Sequence, residues 1–321
     1  MISFVIPCYC SALTIVDVVD ELDETMRRAQ LEHEVILVDD CSPDDTLTHL
    51  RSLAAARPHI TVLALARNFG QHSALMAGLR HASGDVVVCL DDDGQTPPRE
   101  VTKILQRLDE GFDVVYGRYD QKEHTALRNV GSALNEQMAR ALLGKPRGLY
   151  LSSFFGARRY VIDEVARYTS PYPYIIGLIL RTTRSIANVT VEHKARAVGR
   201  SGYSLRKLIS LWLNGFTAFS VRPLRVSAVL GVAVAACGIV YGGVTAIRAI
   251  ISPSAPPGWS SLMVALLVLG GLILSALGLV GEYLGRAYIS ISQAPQFVIK
   301  EQINAESTTP PDPSSPADGS P

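Results

Sequence analysis

The pentapeptide Asp91-Asp92-Asp93-Gly94-Gln95 follows directly on the apolar run Val86-Val87-Val88-Cys89-Leu90. A buried strand that ends in three acids concentrates negative charge where the backbone leaves a sheet. Charges so close repel unless a cation or strong donors compensate them. Carboxylate and amide oxygens are hard ligands that suit Mg²⁺ or Mn²⁺, ions that bind through one or two carboxylates and complete their shells with phosphate oxygens. The chemistry indicated is the handling of a diphosphate. The same residues also read as a solvated acidic turn between Leu90 and Pro97-Pro98, because Asp and Gly favour turns.

Two more polar clusters have this placement. Pro7-Cys8-Tyr9 closes the apolar run at 2–6, and Asp39-Asp40-Cys41-Ser42 closes the run at 34–38. Each alone reads as a helix cap or turn; three at successive strand ends point to one site. The elements that must position them follow from the hydrophobic pattern. Strands are predicted at 2–6, 34–38, 60–66, 85–90 and 114–116, and helices at 15–29, 71–82 and 99–111. Such alternation predicts an α/β fold with a mostly parallel sheet covered on both faces. Ligands of such sheets collect at the carboxyl ends of the strands, near a switch in strand order. Neither Gly-x-Gly-x-x-Gly after the first strand nor a Gly-x-x-x-x-Gly-Lys-Ser/Thr loop occurs, which argues against a dinucleotide fold and P-loop chemistry.

Thirty basic and thirty acidic residues in 321 leave no net charge, so the chain has no global attraction for nucleic acid and any anion site must be local. Five cysteines lack metal-ligand spacing and predict no disulfide framework. The opening Met1-Ile2-Ser3-Phe4-Val5-Ile6-Pro7 reads as a first strand rather than a secretory leader.

Composition changes after Val226. No charged residue occurs in 226–247 or in 259–281, and each stretch is long enough to cross a bilayer as a helix. The turn between them carries no charge, whereas Arg222, Arg225 and Arg286 flank the pair, which predicts a two-helix transmembrane hairpin with both termini cytoplasmic. A pair of buried helices in a soluble core is the other reading. The expected divisions are a catalytic domain at 1–203, an amphipathic interfacial helix at 204–225, spans at 226–251 and 259–281, a juxtamembrane segment at 282–303, and a disordered tail at 304–321.

Taken in order, Val5-Ile6-Pro7-Cys8-Tyr9, Val38-Asp39-Asp40-Cys41-Ser42, Arg67-Asn68-Phe69-Gly70-Gln71, Asp91 through Pro98, and Arg196-Ala197-Val198-Gly199-Arg200-Ser201, followed by two apolar spans, form a recognisable set. The set resembles the family 2 glycosyltransferases acting on polyprenyl phosphates, such as dolichyl- and undecaprenyl-phosphate sugar transferases, including the aminoarabinose-transferring type. The likeness covers roughly residues 1 to 300. It implies a GT-A fold, a nucleotide-diphosphate sugar donor, a polyprenyl phosphate acceptor at the cytoplasmic membrane face, and Mg²⁺ or Mn²⁺. Oligomeric state is left open.

Residue by residue, the resemblance places Pro7, Tyr9, Asp39, Asp40 and Asp91 at the nucleotide, and Asp91, Asp93 and Gln95 at the metal. Asp92 receives no role. Arg118, Arg128 and Ser132 match a set that reaches donor and lipid phosphates, and Arg196 and Ser201 fall in a loop that closes over the donor. The chain departs from the family pattern at three places. Cys10-Ser11 stands where Asn-Glu is common, Gly202 where a lysine is frequent, and the stretch 145–154 lacks the acid proposed elsewhere as a base. No general base is assigned. A lipid phosphate monoester is largely dianionic at pH 7 and needs no proton removed before attack. Two other readings stay open: a non-catalytic nucleotide-sugar-binding scaffold, and a synthase with a soluble sugar acceptor.

Overall fold

The computed structural model describes residues 1–119, 146, 148–193, 229, 231, 233, 234, 236, 240, 244, 247, 258–291 and 295–305. The first half alternates strictly: β1 (Ile2–Cys8), α1 (Ile15–Ala29), β2 (His33–Asp39), α2 (Thr46–Ala56), β3 (Ile60–Leu65), α3 (Gln71–His81) and β4 (Val86–Cys89). A 3-10 turn at Pro98–Glu100 leads into α4 (Val101–Asp109) and β5 (Val114–Tyr119). The remaining described elements are β6 (Phe155–Arg158), α5 (Arg159–Ala166), α6 (Ile175–Thr182), β7 (Ile186–Val191), α7 (Trp259–Ile291) and β8 (Ile299–Ile303).

Alternation along β1 decides which face each residue serves. Ile2, Phe4, Ile6 and Cys8 enter one core with Val18, Val19, Leu22 and Met26 of α1, as the period of two along a strand requires. Helix α1 buries a stripe at three- and four-residue spacing and stops where Gln30 turns left-handed, its N–H bonding the Arg27 and Met26 carbonyls. On the other face α3 lies so close that a Cβ on Gly78 would stand 2.4 Å from Val5. Only glycine permits that approach.

The strands order as β7-β5-β6-β4-β1-β2-β3-β8. Strands β4, β1, β2 and β3 pair in parallel, as do β5 and β7, while β6 and β8 run antiparallel. The chain winds from β1 through β2 to β3 on one side, then crosses to place β4 on the other side of β1. The switch point therefore lies between β1 and β4, where the Asp91–Gln95 turn emerges.

Helix α7 belongs to a second compact unit. Its segment Val268–Gly285 is long and apolar enough to cross a membrane, and Ile273, Leu274, Leu277 and Leu284 are exposed along it. The described residues between 229 and 247 are also helical. The apolar run read from sequence ends at 281; the helix continues to Ile291. Residues 299–303, read as part of a juxtamembrane stretch, form β8, with Val62 opposite Ile303 at the sheet edge. Lys300 and Glu301 give this strand the charged character typical of edge strands.

Candidate active site

The site is assembled at the carboxyl ends of β1, β2 and β4, three neighbours in the sheet. Asp92 joins two of these ends: its Oδ2 accepts the Tyr9 N–H at 2.9 Å, and its carbonyl accepts the Thr14 hydroxyl at 2.7 Å. The residue without a sequence-assigned role thus fixes the β4 turn against the β1 loop. Burial pushes its carboxyl up to about 6, with the Tyr9 N–H opposing and the Asp91 charge reinforcing.

Asp91 is oriented from two sides. The Gln71 side-chain amide donates to Oδ1 at 3.0 Å and the Ser153 hydroxyl donates to Oδ2. Burial raises the Asp91 carboxyl above the usual range, Ser153 and Gln71 pull against it, and the nearby Asp93 charge adds to the rise. Asp93 accepts the Gln95 N–H at 3.0 Å, across a turn in which Gly94 takes φ +65°. That conformation is costly for residues with a Cβ.

At the end of β2, Asp39 and Asp40 differ. Both are buried. Asp40 accepts the Phe69 N–H at 2.7 Å and the Gly70 N–H at 2.8 Å on separate oxygens, so it fastens the 67–71 segment from which Gln71 reaches Asp91. Asp39 is held, among the described residues, by Ser42, whose N–H lies 3.2 and 3.4 Å from its two oxygens, and a carboxylate so held keeps acceptor capacity. Burial raises both carboxyls, against the opposing amides of Ser42 and of Phe69 and Gly70.

Aromatic residues close one side. The Tyr119 hydroxyl accepts from Thr96 at 3.2 Å, and its ring lies 4.2 Å from His193 and 6.0 Å from Tyr150, centre to centre. Burial pushes the Tyr119 phenol up to about 12. Arg118 is exposed at the end of β5, and its charge opposes the burial that raises Tyr150.

The structure therefore gathers Pro7, Tyr9, Asp39, Asp40, Asp91, Asp93 and Gln95 at neighbouring strand ends. Pro7 is buried within β1, and the Tyr9 side chain is exposed. Arg128, Ser132, Arg196 and Ser201 lie outside the described residues. Sequence reasoning gave no role to Gln71, Ser153, Tyr119 or His193. Gln71 had a detectable signal, a polar cluster after a fourth strand end; Ser153 and His193 reach the site only through sheet pairing far along the chain.

The donor set at 91–95 fits a divalent cation. Two carboxylates and an amide oxygen are hard ligands, and the mutual repulsion of Asp91 and Asp93 is a cost that a cation would relieve. A different group, Asp23, His33 and His59, has its ligand atoms within 4.8 Å of one another and could also hold a metal. It lies at the opposite, amino-terminal edge of the strands.

Comparison with known proteins agrees with this geometry. The family model for glycosyl transferase family 2 matches residues 3–166, and that for the GtrB C-terminal hairpin matches 222–287. The chain is 32% identical over 311 residues to undecaprenyl-phosphate 4-deoxy-4-formamido-L-arabinose transferases of Yersinia pestis (strain Pestoides F) and Yersinia pseudotuberculosis serotype O:3 (strain YPIII), covering 96% of this chain and 95% of each relative. Glucosyl-3-phosphoglycerate synthase from Mycobacterium tuberculosis, solved with Mn²⁺, UDP and phosphoglyceric acid, superposes with TM-score 0.51 at 23% identity over 68% of this chain and 76% of that one. The same synthase with Mn²⁺ and UDP-glucose gives 0.50 at 25% over 68% and 77%. The shared feature is the fold: this chain has the GT-A fold, with a mostly parallel α/β sheet. With a family match over half the chain and relatives aligned along nearly all of it, the chain belongs to glycosyl transferase family 2.

Proposed function

We propose that the protein transfers a sugar, with inversion, from a nucleotide-diphosphate sugar to a polyprenyl phosphate of the undecaprenyl type at the cytoplasmic membrane face. The observation that carries this reading is the acidic turn at the β1–β4 switch point, in a chain that aligns along 96% of its length with undecaprenyl-phosphate sugar transferases. A helix of membrane-spanning length and a match to the GtrB C-terminal hairpin support the lipid acceptor. The hairpin would be formed by 226–251 and 259–281, with the catalytic domain at 1–203 and both termini on the cytoplasmic side.

Asp91, Asp93 and Gln95 would hold Mg²⁺ or Mn²⁺. The bound ion supplies a sink for charge growing on the leaving nucleotide diphosphate. Ser153 and Gln71 orient the Asp91 carboxylate, while the Asp92–Tyr9 bond keeps the turn in register with the β1 loop. Asp39 serves the base or ribose directly, and Asp40 serves mainly through the loop it fastens. Arg118, with Arg128, Ser132, Arg196 and Ser201, would place two phosphate-bearing partners in line despite their repulsion. The acceptor is a dianion near pH 7, so attack on the anomeric carbon requires no protein base. The acid-free stretch at 145–154 is compatible with that chemistry.

The test is incubation of the full chain in detergent or nanodiscs with undecaprenyl phosphate and a panel of labelled nucleotide sugars, with and without chelator. A chelator-sensitive glycolipid of inverted anomeric configuration is expected. A product that retains the donor configuration overturns single displacement, and transfer only to water-soluble acceptors overturns the lipid assignment.

A further inference from the structure

Three residues with no sequence motif in common meet at the amino-terminal edge of the sheet, away from the strand ends that carry the acidic turn. Asp23 comes from α1, His33 opens β2, and His59 precedes β3. Both imidazoles address one atom: His33 Nε2 lies 2.9 Å and His59 Nε2 3.0 Å from Asp23 Oδ1. The rings are 5.0 Å apart at 65°, so their Nε2 atoms approach the oxygen from different directions. Phe4, fully buried, packs edge-on against His33 at 6.0 Å and fixes that ring. The side chains are partly accessible, at 14% for His33, 23% for Asp23 and 35% for His59.

We propose that Asp23, His33 and His59 form a second divalent-cation site, of the Zn²⁺ type, which pins α1 to the starts of β2 and β3. Two imidazole nitrogens and one carboxylate oxygen select borderline cations such as Zn²⁺ and Co²⁺ over Mg²⁺ and Mn²⁺, unlike the all-oxygen set at Asp91, Asp93 and Gln95. Tetrahedral Zn²⁺ with bonds of about 2.0–2.1 Å sets its ligand atoms about 3.3 Å apart. The observed 2.9 and 3.0 Å separations need to open by only about 0.3–0.4 Å. Water would complete the shell on the accessible side.

The surrounding charges allow a cation. Arg57 donates to the other carboxylate oxygen, Asp23 Oδ2, at 2.9 Å and also pairs with Asp20 at 2.5 Å. Asp20, Asp23 and Arg57 together carry one net negative charge beside the two imidazoles. Arg57 holds the non-ligating oxygen, as outer partners of metal-bound carboxylates do. Without an ion, both imidazoles must direct an N–H at the same oxygen; an ion replaces both protons and uses both nitrogen lone pairs.

The experiment is a Co²⁺ titration of the purified full chain after chelator treatment and dialysis, followed by visible absorption, with thermal unfolding recorded in parallel. Expected is a ligand-field band that saturates at about one equivalent, vanishes on addition of Zn²⁺ and resists millimolar Mg²⁺, with a higher unfolding temperature when Zn²⁺ is bound. His59→Gln, at the most accessible ligand, should abolish the band and the Zn²⁺-dependent shift while sugar transfer with Mg²⁺ or Mn²⁺ continues. Asp93→Ala should keep the band, separating this site from the acidic turn whatever the fate of the proposed transfer reaction. No band in the native chain, a band that survives in His59→Gln, or one lost in Asp93→Ala overturns the proposal and leaves only a hydrogen-bonded cluster.

Discussion

At the carboxyl ends of β1, β2 and β4, carboxylates are held by amides and hydroxyls; at the amino ends of β2 and β3, they are held by a guanidinium and imidazoles. Asp39, Asp40, Asp91 and Asp92 accept from Ser42, Phe69, Gly70, Gln71, Ser153 and Tyr9, and among the described residues none of these four acids forms an ion pair. Asp20 and Asp23 share Arg57, and Asp23 also meets His33 and His59. Neutral donors fix where a carboxylate points without cancelling its charge. The carboxyl end therefore retains concentrated negative potential for a metal and its diphosphate, whereas at the amino edge one guanidinium offsets one of two acids and the imidazoles offer nitrogen rather than oxygen ligands.

The largest effect should come from removing a carboxylate proposed to hold the metal. Asp93→Ala is expected to lower sugar transfer by at least about a hundredfold with a nearly unchanged unfolding temperature. Undiminished turnover with metal present would break the contrast at its centre.

Histidines sharpen the same contrast. His72, one residue after Gln71, has an Nδ1 without a hydrogen-bond partner among the described residues, lies against the edge of Tyr174, and is pushed by burial down to about 4. The unfolded chain takes up a proton near 6.5 and the folded chain only near 4. The stability from keeping His72 neutral is therefore complete above pH 6.5 and lost as pH falls toward 4. Denaturation at pH 7 and pH 5 should differ by about 2 kcal/mol more in the native chain than in His72→Leu. Equal slopes would remove His72 from the account.

Asp92→Ala should cost about 0.5–1.5 kcal/mol by removing the acceptor of the Tyr9 N–H, and Asp92→Asn, which keeps an acceptor oxygen, should recover most of it. Equal losses would mean that charge rather than the hydrogen bond matters there. Ser153→Ala should slow transfer about tenfold through loss of one donor to Asp91, with stability changed little. The smallest effect is expected at the exposed Arg51–Glu301 pair, which joins α2 to β8: Arg51→Ala should leave the unfolding midpoint nearly unchanged.

How much was legible in the sequence depended on the distance over which each signal acts. The alternation from β1 to α4, apart from α2, was readable because burial imposes a period of two or three to four on neighbouring residues. The acidic strand ends were readable because a run of Asp after an apolar strand is a local pattern. Helix α2 escaped because Thr46–Ala56 has a weak apolar stripe, with Leu50 and Leu53 as its main buried anchors. Strand β8 escaped because Ile299, Glu301 and Ile303 are only half-buried at an edge, so the alternation that marks a strand is muted.

The sequence by itself determined the parallel α/β core, the acidic turn, the apolar spans and the family pattern, since all are written in residues adjacent or regularly spaced along the chain. Tertiary structure alone decided that the β4 turn binds the β1 loop through Asp92, that Ser153 and Gln71 orient Asp91, and that Asp23, His33 and His59 meet at the other edge. Those contacts join residues 83, 62, 20, 10 and 36 positions apart. Strand order sets which of them meet, and strand order comes from the packing of the whole sheet rather than from any local preference.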